Sequence, residues 1–184
     1  MKTFIIGDIH GQAEALGALL KKLRPDPRQD WLVFLGDLFD RGPDSFQVFQ
    51  EVKRLAEELG LADRVVFAGH IGEADALNAL YRRASLFLFP SQYDTSGLVV
   101  REAAAMGTPS VVVRGSSAAE GIRDGENGFL CADDPDDLAR VIDAALSDRQ
   151  ALERVGRAAL ETIPIPWSKL VDDVLQKYAG LVRG

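Results

Sequence analysis

Short apolar runs alternate with amphipathic segments along most of this chain of 184 residues. The apolar runs are continuous, which is typical of strands buried on both faces of a parallel sheet. The segments between them repeat apolar residues at helical spacing, as Leu16, Leu19, Leu20 and Leu23 do. The pattern predicts strands at Thr3 to Ile6, Trp31 to Leu35, Val65 to Ala68, Leu86 to Phe89, Ser110 to Val113 and Phe129 to Cys131.

Helices are predicted between these strands and after the last one. Because parallel neighbours need right-handed crossovers, strand–helix alternation with short loops favours a doubly wound sheet. We predict an α/β fold, a single Rossmann-like three-layer domain over residues 1–184, with six parallel strands in the order 3-2-1-4-5-6 and C-terminal helices. The predicted helices span Ala13 to Leu23, Phe46 to Leu59, Ala74 to Arg83, Leu98 to Met106, Asp136 to Ala145, Arg149 to Leu160 and Trp167 to Val182.

Composition limits the classes of partner. A net charge of −7 argues against a nucleic-acid or anionic-membrane surface, and 47% apolar residues are enough for a full core. No apolar stretch approaches the ~18 residues that span a bilayer, and the N-terminus lacks a signal-peptide pattern. We therefore expect a cytoplasmic protein or, if it is engineered, one expressed in the bacterial cytosol. The single cysteine, Cys131, lies in an apolar run and is expected to be buried.

Two glycine-flanked motifs follow the first two predicted strands. Residues 7–11 read Gly-Asp-Ile-His-Gly, and residues 36–42 read Gly-Asp-Leu-Phe-Asp-Arg-Gly. Adjacent parallel strands end at one edge of a sheet, so Asp8, His10 and Asp37 are expected to lie together there. Carboxylates with an imidazole suit Mn, Fe, Zn or Mg. The alternative is that Asp8 and Asp37 only cap the helices that follow.

With these motifs, residues 1 to about 55 resemble the N-terminal part of calcineurin-like metallophosphoesterases, of the bacterial Ser/Thr protein phosphatase and diadenosine tetraphosphatase type. The resemblance implies a βαβα segment in which Asp8 and His10 bind a first metal and Asp37 bridges to a second. It also implies that Asp40 and Arg41 assist catalysis, with Arg41 contacting phosphate.

The phosphoesterase pattern is incomplete in this chain. The family has further asparagine and histidine ligands downstream, whereas this sequence has two histidines in total, His10 and His70. His70 follows the third predicted strand and is a further candidate ligand. We expect at most one divalent metal (Mn, Fe, Zn or Mg), no required cofactor, and only weak metal-dependent phosphoester hydrolysis if there is any turnover.

A second series of motifs begins after the fourth predicted strand. The segment 95–98 opens a helix, where N–H groups without intrahelical partners suit a diphosphate. Glu102 lies about one turn further and has the acceptor oxygens that a ribose needs. The alternative is that these polar residues only cap helices or face solvent. The candidate phosphate- or nucleotide-binding residues are Ser91, Asp94, Thr95, Ser96, Gly97, Leu98 and Glu102.

With these residues and the later Gly-Thr-Pro at 107–109, residues from about 56 to 184 resemble the C-terminal donor-binding domain of retaining GT-B glycosyltransferases. The resemblance implies a βαβαβα segment with tail helices that binds a nucleotide-sugar. It also reveals a departure, because those transferases carry cations after their first strand, where this chain has Asp8 and His10. An acid there repels a diphosphate unless a metal lies between them.

The two resemblances predict a recombined, engineered or de novo generated chimera with no complete active site and no turnover. Two alternatives stay open: a metal-binding, weak phosphoesterase, and a nucleotide or nucleotide-sugar binding module. We expect a monomer that binds phosphate or nucleotide-sugar weakly. The apolar face of the last helix, with Leu170, Val174 and Tyr178, is expected to dock on the chain's own sheet, and a dimer through that helix is the other possibility.

Overall fold

The computed structural model describes residues 2–7, 17, 22, 26, 28–35, 45–92 and 96–182. Its strands form a single parallel sheet in the order β3-β2-β1-β4-β5-β6. The predicted fold class and strand order are therefore confirmed. The strands are β1 (Thr3–Ile6), β2 (Trp31–Leu35), β3 (Val65–Gly69), β4 (Leu86–Phe89), β5 (Ser110–Val113) and β6 (Phe129–Cys131).

The helices agree with the predicted segments to within a few residues at each end. Gly17 and Lys22 are helical, inside the segment predicted between β1 and β2. Short 3₁₀ turns cover Ala62–Arg64 and Ser117–Ala119. The α-helices described are α1 (Ser45–Glu58), α2 (Ala74–Arg83), α3 (Leu98–Ala105), α4 (Pro135–Ser147), α5 (Arg149–Thr162) and α6 (Trp167–Val182).

The sheet separates two apolar layers. Because successive side chains of a strand point to opposite faces, Phe4 and Ile6 belong to one buried cluster and Ile5 belongs to the other. Helices α1 and α4 contribute to the first cluster, and α2 and α3 contribute to the second. Helix α5 contributes to both, through Leu152 on one side and Ala159 on the other.

Strand β3 differs from the expectation that every strand is buried on both faces. It is the outermost strand on its side of the sheet, and Val66 is 40% exposed. An outer strand has one neighbour instead of two, so its apolar run is only partly covered. The prediction was wrong for β3 and holds for the central β4, all four residues of which are buried.

Helix α6 does not dock on the sheet, contrary to prediction. Leu170, Val171, Val174, Leu175 and Tyr178 are all more than 40% exposed. Helix α5, which precedes α6 in the chain, already packs against both α3 and α4. Within the ranges described, none of the helices combines the length and apolar character needed to cross a bilayer.

Cys131 is buried in β6, as predicted, and is 1% exposed. Burial raises the pKa of its thiol to about 11, because a thiolate would lose hydration there, and the nearby Asp137 carboxylate adds to the effect. Its sulfur lies 3.5 Å from the Val112 carbonyl oxygen. The residue therefore behaves as a small core side chain.

Candidate functional site

A cavity of about 200 Å³ opens at the carboxyl edge of the sheet. Strand β1 has β2 on one side and β4 on the other, so the strand order reverses between β1 and β4. Gly7, directly after β1, and Phe89, the last residue of β4, both line the cavity. Ligands of doubly wound folds bind at this reversal point, outside the strand ends.

The floor of the cavity is aromatic. Tyr81 of α2 meets Phe87 edge to face, with ring centroids 5.4 Å apart. Phe87 stacks on Phe89 at 5.9 Å. Phe87 and Phe89 were predicted to lie in a core strand, and their rings were not expected to line a cavity. The signal available was their position at the end of a strand beside the reversal point.

Gly7 keeps the cavity open against this floor. It is buried, and its N–H donates to the Leu88 carbonyl at 2.9 Å. A Cβ atom at residue 7 would lie 2.9 Å from Cδ2 of Phe89 and 3.2 Å from Cζ of Phe87. A larger residue would therefore have to displace the floor, which explains a glycine at the end of β1.

The polar rim brings together residues that the sequence assigned to two different sites. His70, a candidate metal ligand, follows β3 and lines the cavity. Glu102, a candidate ribose ligand, lies on α3 and lines the same cavity. Both side chains are exposed. Ile71, Leu77 and Val99 complete the wall between them.

Helix α3 begins beside the cavity with a glycine. Gly97 is buried and has a φ of 58°, in the left-handed region that favours glycine. Its carbonyl accepts from the N–H groups of Val100 at 3.0 Å and Arg101 at 3.2 Å. A Cβ atom at residue 97 would lie 2.9 Å from Cα of Ala118, so the Ser117–Ala119 turn braces the start of α3. Leu98, the first helical residue, is exposed.

Two further residues do not line the cavity: Ser91, a predicted nucleotide-binding residue, and Thr108, noted in the sequence only as part of the Gly-Thr-Pro motif. Ser91 is buried two residues after β4. Thr108 is buried, and its hydroxyl donates to the Tyr81 carbonyl, so it ties the loop after α3 to α2.

A buried asparagine organises the loop before β6. The Asn127 side chain accepts from the Arg123 N–H at 2.6 Å and donates to the Gly121 carbonyl at 3.1 Å. It also donates to the hydroxyl of Thr162, at the end of α5, at 2.9 Å. This residue fixes the loop to α5.

Most of the predicted metal site lies outside the described residues. This applies to Asp8, His10, Asp37, Asp40 and Arg41, and also to the predicted nucleotide-binding pair Asp94 and Thr95. In the part of the chain that the structure describes, no three His, Cys, Asp or Glu side chains are grouped to hold a metal ion. The metal site therefore stays a prediction.

A doubly wound parallel sheet with a cavity at its reversal point, beside a helix that starts at a glycine, defines a Rossmann-like α/β domain. A model of the family described as "Glycosyl transferases group 1" matches residues 8–162. The chain belongs to this family.

A curated relative agrees with that assignment, and a solved structure shares the fold. A D-inositol 3-phosphate glycosyltransferase from Stackebrandtia nassauensis is 32% identical over 174 residues, which cover 90% of this chain and 37% of the relative. The chain thus spans little more than a third of that relative. The C-terminal domain of a glycosyl transferase group 1 family protein from Francisella tularensis superposes with a TM-score of 0.72 at 22% identity, covering 87% of this chain and 83% of that domain.

A further neighbour was solved with a ligand. Anabaena HepE in complex with UDP-glucose has a TM-score of 0.69 at 22% identity, and the match covers 98% of this chain and 49% of HepE. At this identity the likeness shows the fold.

A separate and more local likeness points to another family. The symmetrical bis(5'-nucleosyl)-tetraphosphatase of Photorhabdus laumondii is 49% identical over 70 residues, covering 38% of this chain and 24% of the relative. The glycosyltransferase match begins at residue 8 and so includes most of the segment that resembles phosphoesterases. A chimeric origin therefore stays a prediction.

Proposed function

We propose that this chain is a nucleotide-sugar binding domain of a group 1 glycosyltransferase. The observation that carries the proposal is the cavity at the reversal point of the sheet, with an aromatic floor and Glu102 on its rim. The structural neighbour HepE, which shares this fold, was solved with UDP-glucose. Glycosyl transfer itself is proposed only for a protein of the relatives' full length.

The size of the cavity indicates how much of a nucleotide-sugar it can hold. At about 200 Å³ it is smaller than the ~300–1,000 Å³ typical of ligand pockets, so it accommodates one ring of a nucleotide-sugar. The apolar lining, which includes the half-buried Leu77 and Val99, suits a base or the apolar face of a sugar. The rest of the ligand would extend toward the start of α3.

The start of α3 supplies the complement for a diphosphate. The N–H groups of Leu98 and Val99 precede the first intrahelical hydrogen bonds of α3, which Val100 and Arg101 donate to Gly97, and they lie at the positive end of the helix dipole. Glu102 lies on the same helix, one turn further, where its carboxylate can accept from ribose hydroxyls. Anion and hydroxyl recognition would therefore come from a single short helix.

Calorimetry with UDP, UDP-glucose and GDP tests this proposal. Replacing Glu102 with alanine removes a charged acceptor, which is worth about 1.5–3 kcal/mol, so binding should weaken roughly 10- to 150-fold. Glu153→Ala is the matched control, because Glu153 is an exposed glutamate of α5 that pairs with Arg149 and does not line the cavity. No heat with any of the nucleotides, or equal affinity in Glu102→Ala and the wild type, would refute the proposal.

A second candidate is a weak metal-dependent phosphoesterase, favoured by the tetraphosphatase likeness and the motifs at 7–11 and 36–42. A metal ligated by Asp8, His10 and Asp37 would polarise phosphate oxygens and activate water. Millimolar Mn²⁺ should then raise the melting temperature and support hydrolysis of a dinucleoside tetraphosphate, and Asp37→Asn should abolish both effects. If Mn²⁺ changes neither the melting temperature nor the hydrolysis rate, this candidate is excluded.

A further inference from the structure

Strand β6 ends the sheet on the side opposite β3, and its outer backbone groups have a clear direction. The Cys131 carbonyl accepts from the Arg114 N–H at 2.8 Å, so residue 131 faces β5. Because alternate residues of a strand direct their backbone groups to opposite sides, the N–H groups of Leu130 and Ala132 point away from the sheet. A row of outward N–H groups of this kind is a template for another strand.

Two aspartates occupy these outward N–H groups. The Leu130 N–H donates to Oδ1 of Asp124 at 3.0 Å, and the Ala132 N–H donates to Oδ2 of Asp137 at 2.7 Å. On the same side, the Gly128 carbonyl accepts from the Gly125 N–H at 2.8 Å. Residues 128, 130 and 132, which face outward in and beside β6, therefore each have a backbone group that is already hydrogen-bonded.

Each aspartate is held in place by an arginine through its other oxygen. Arg114 reaches Oδ2 of Asp124 at 2.8 Å. Arg140 donates to Oδ1 of Asp137 from Nη2 at 2.6 Å and from Nε at 3.0 Å. The Ala132 N–H, and after it the Arg140 guanidinium, lower the pKa of Asp137 below its usual value. Both carboxylates thus have one oxygen on the strand and the other on a cation.

The edge that these carboxylates cover borders an apolar groove. The groove has a volume of about 310 Å³ and runs between β6, α4 and α5. Phe129, Val141, Leu152 and Val155 are among its lining residues, together with Asp124 and Asp137 themselves. An incoming strand would gain apolar contacts here, and the bonded N–H groups oppose its pairing.

We propose that Asp124 and Asp137 form an edge cap that closes β6 against strand addition by a second copy of this chain. The cap is independent of the nucleotide site, because it lies on the other side of β5 from the cavity. A new strand must break two charge-assisted hydrogen bonds and leave two carboxylates near its own carbonyl oxygens. The cap thus keeps an open parallel sheet from extending through its edge.

Amide hydrogen exchange under native conditions tests the bonds of the cap individually. Asp124→Ala should speed exchange at Leu130 alone, and Asp137→Ala should speed it at Ala132 alone, each by about tenfold. Asp124→Asn and Asp137→Asn keep an acceptor oxygen and should retain protection. Wild-type exchange rates at these amides in both alanine variants would overturn the proposal.

Light scattering across a concentration series tests the consequence. The double variant Asp124→Ala with Asp137→Ala should associate more than the wild type, whereas the double asparagine variant should not. The matched control is Glu58→Ala with Glu153→Ala, which also removes two ion-paired carboxylates, from Arg54 and Arg149. A double alanine variant that associates no more than the control would overturn the proposal. Should that variant fail to fold, the two single alanine variants, compared with the single Glu58→Ala and Glu153→Ala variants, provide the same decision.

Discussion

Helices α5 and α6 follow one another at the end of the chain and share an amphipathic pattern, yet only one of them is packed. Helix α5 has 14 residues and buries Leu152, Val155 and Ala159. Helix α6 has 16 residues, and its apolar residues Leu170 and Val174 stay exposed. Hydrophobic periodicity therefore identifies a helix and its apolar face, but it does not say whether the same chain covers that face.

The close packing of α5 depends on one glycine. A Cβ atom at Gly156 would lie 2.5 Å from the carbonyl oxygen of Gly107 and 3.3 Å from Cδ of Pro109. The helix backbone thus rests directly on the loop that precedes β5. Such an approach needs a residue without a side chain, whereas the exposed face of α6 carries branched and aromatic side chains.

The same substitution on both helices is the strongest way to break this comparison. Leu152→Ala shortens a side chain that is 9% exposed and widens the groove that it lines, so it should cost about 2–3 kcal/mol of unfolding free energy. Leu170→Ala, at a side chain that is 41% exposed, should change it by less than ~0.5 kcal/mol. Urea unfolding measures both values. Equal losses would mean that α6 is covered in solution.

Alanine substitutions at Gly156 and Gly72 should change the unfolding free energy by smaller amounts and in opposite directions. Gly156→Ala places a methyl group against the Gly107 carbonyl and should cost about 1–3 kcal/mol through overpacking. Gly72→Ala has open space and no left-handed backbone, so it should stabilise the chain by up to ~1 kcal/mol through a less flexible unfolded state. Thermal unfolding of the two variants is the measurement. A stable Gly156→Ala variant would show that α5 can shift away from the loop.

The smallest expected change in stability near neutral pH comes from the Cys131 thiol, which lies in the packed region of the chain. Its folded pKa of about 11 exceeds the ordinary value of 9.0, so the contribution of this thiol to stability is constant below pH 9 and declines as pH rises toward 11. At pH 8 iodoacetamide should react only after unfolding or local opening. Labelling should therefore be faster in Leu152→Ala and unchanged in Leu170→Ala. Rapid labelling of the wild type would contradict the buried position.

Much of the fold followed from the sequence because central strands are apolar throughout. The run Leu86 to Phe89 was predicted and is buried at every residue, since β4 has a strand on each side and helices on both faces. The same rule failed at β3, where Val66 lies in a strand with a single neighbour. An apolar run by itself does not show whether its strand lies in the centre or at the edge of the sheet.

Individual residues of the candidate site could be predicted from the sequence, but not which of them lie together. Glu102 and His70 were both singled out, but the sequence assigned them to different chemistries, and only the fold shows that they line one cavity. The edge cap was not foreseen at all. Asp124 and Asp137 accept from backbone N–H groups whose direction depends on strand register, which composition and spacing do not reveal.

The buried Asn127 has a practical consequence for anyone who rebuilds this scaffold. Its amide joins the loop at 121–127 to Thr162 at the far end of α5, a span of 35 positions along the chain. Transplanting that loop into a related backbone without the matching helix terminus would keep its bonds to Arg123 and Gly121 and lose the bond to Thr162 at a buried side chain. The loop at 121–127 and the end of α5 should therefore be exchanged together.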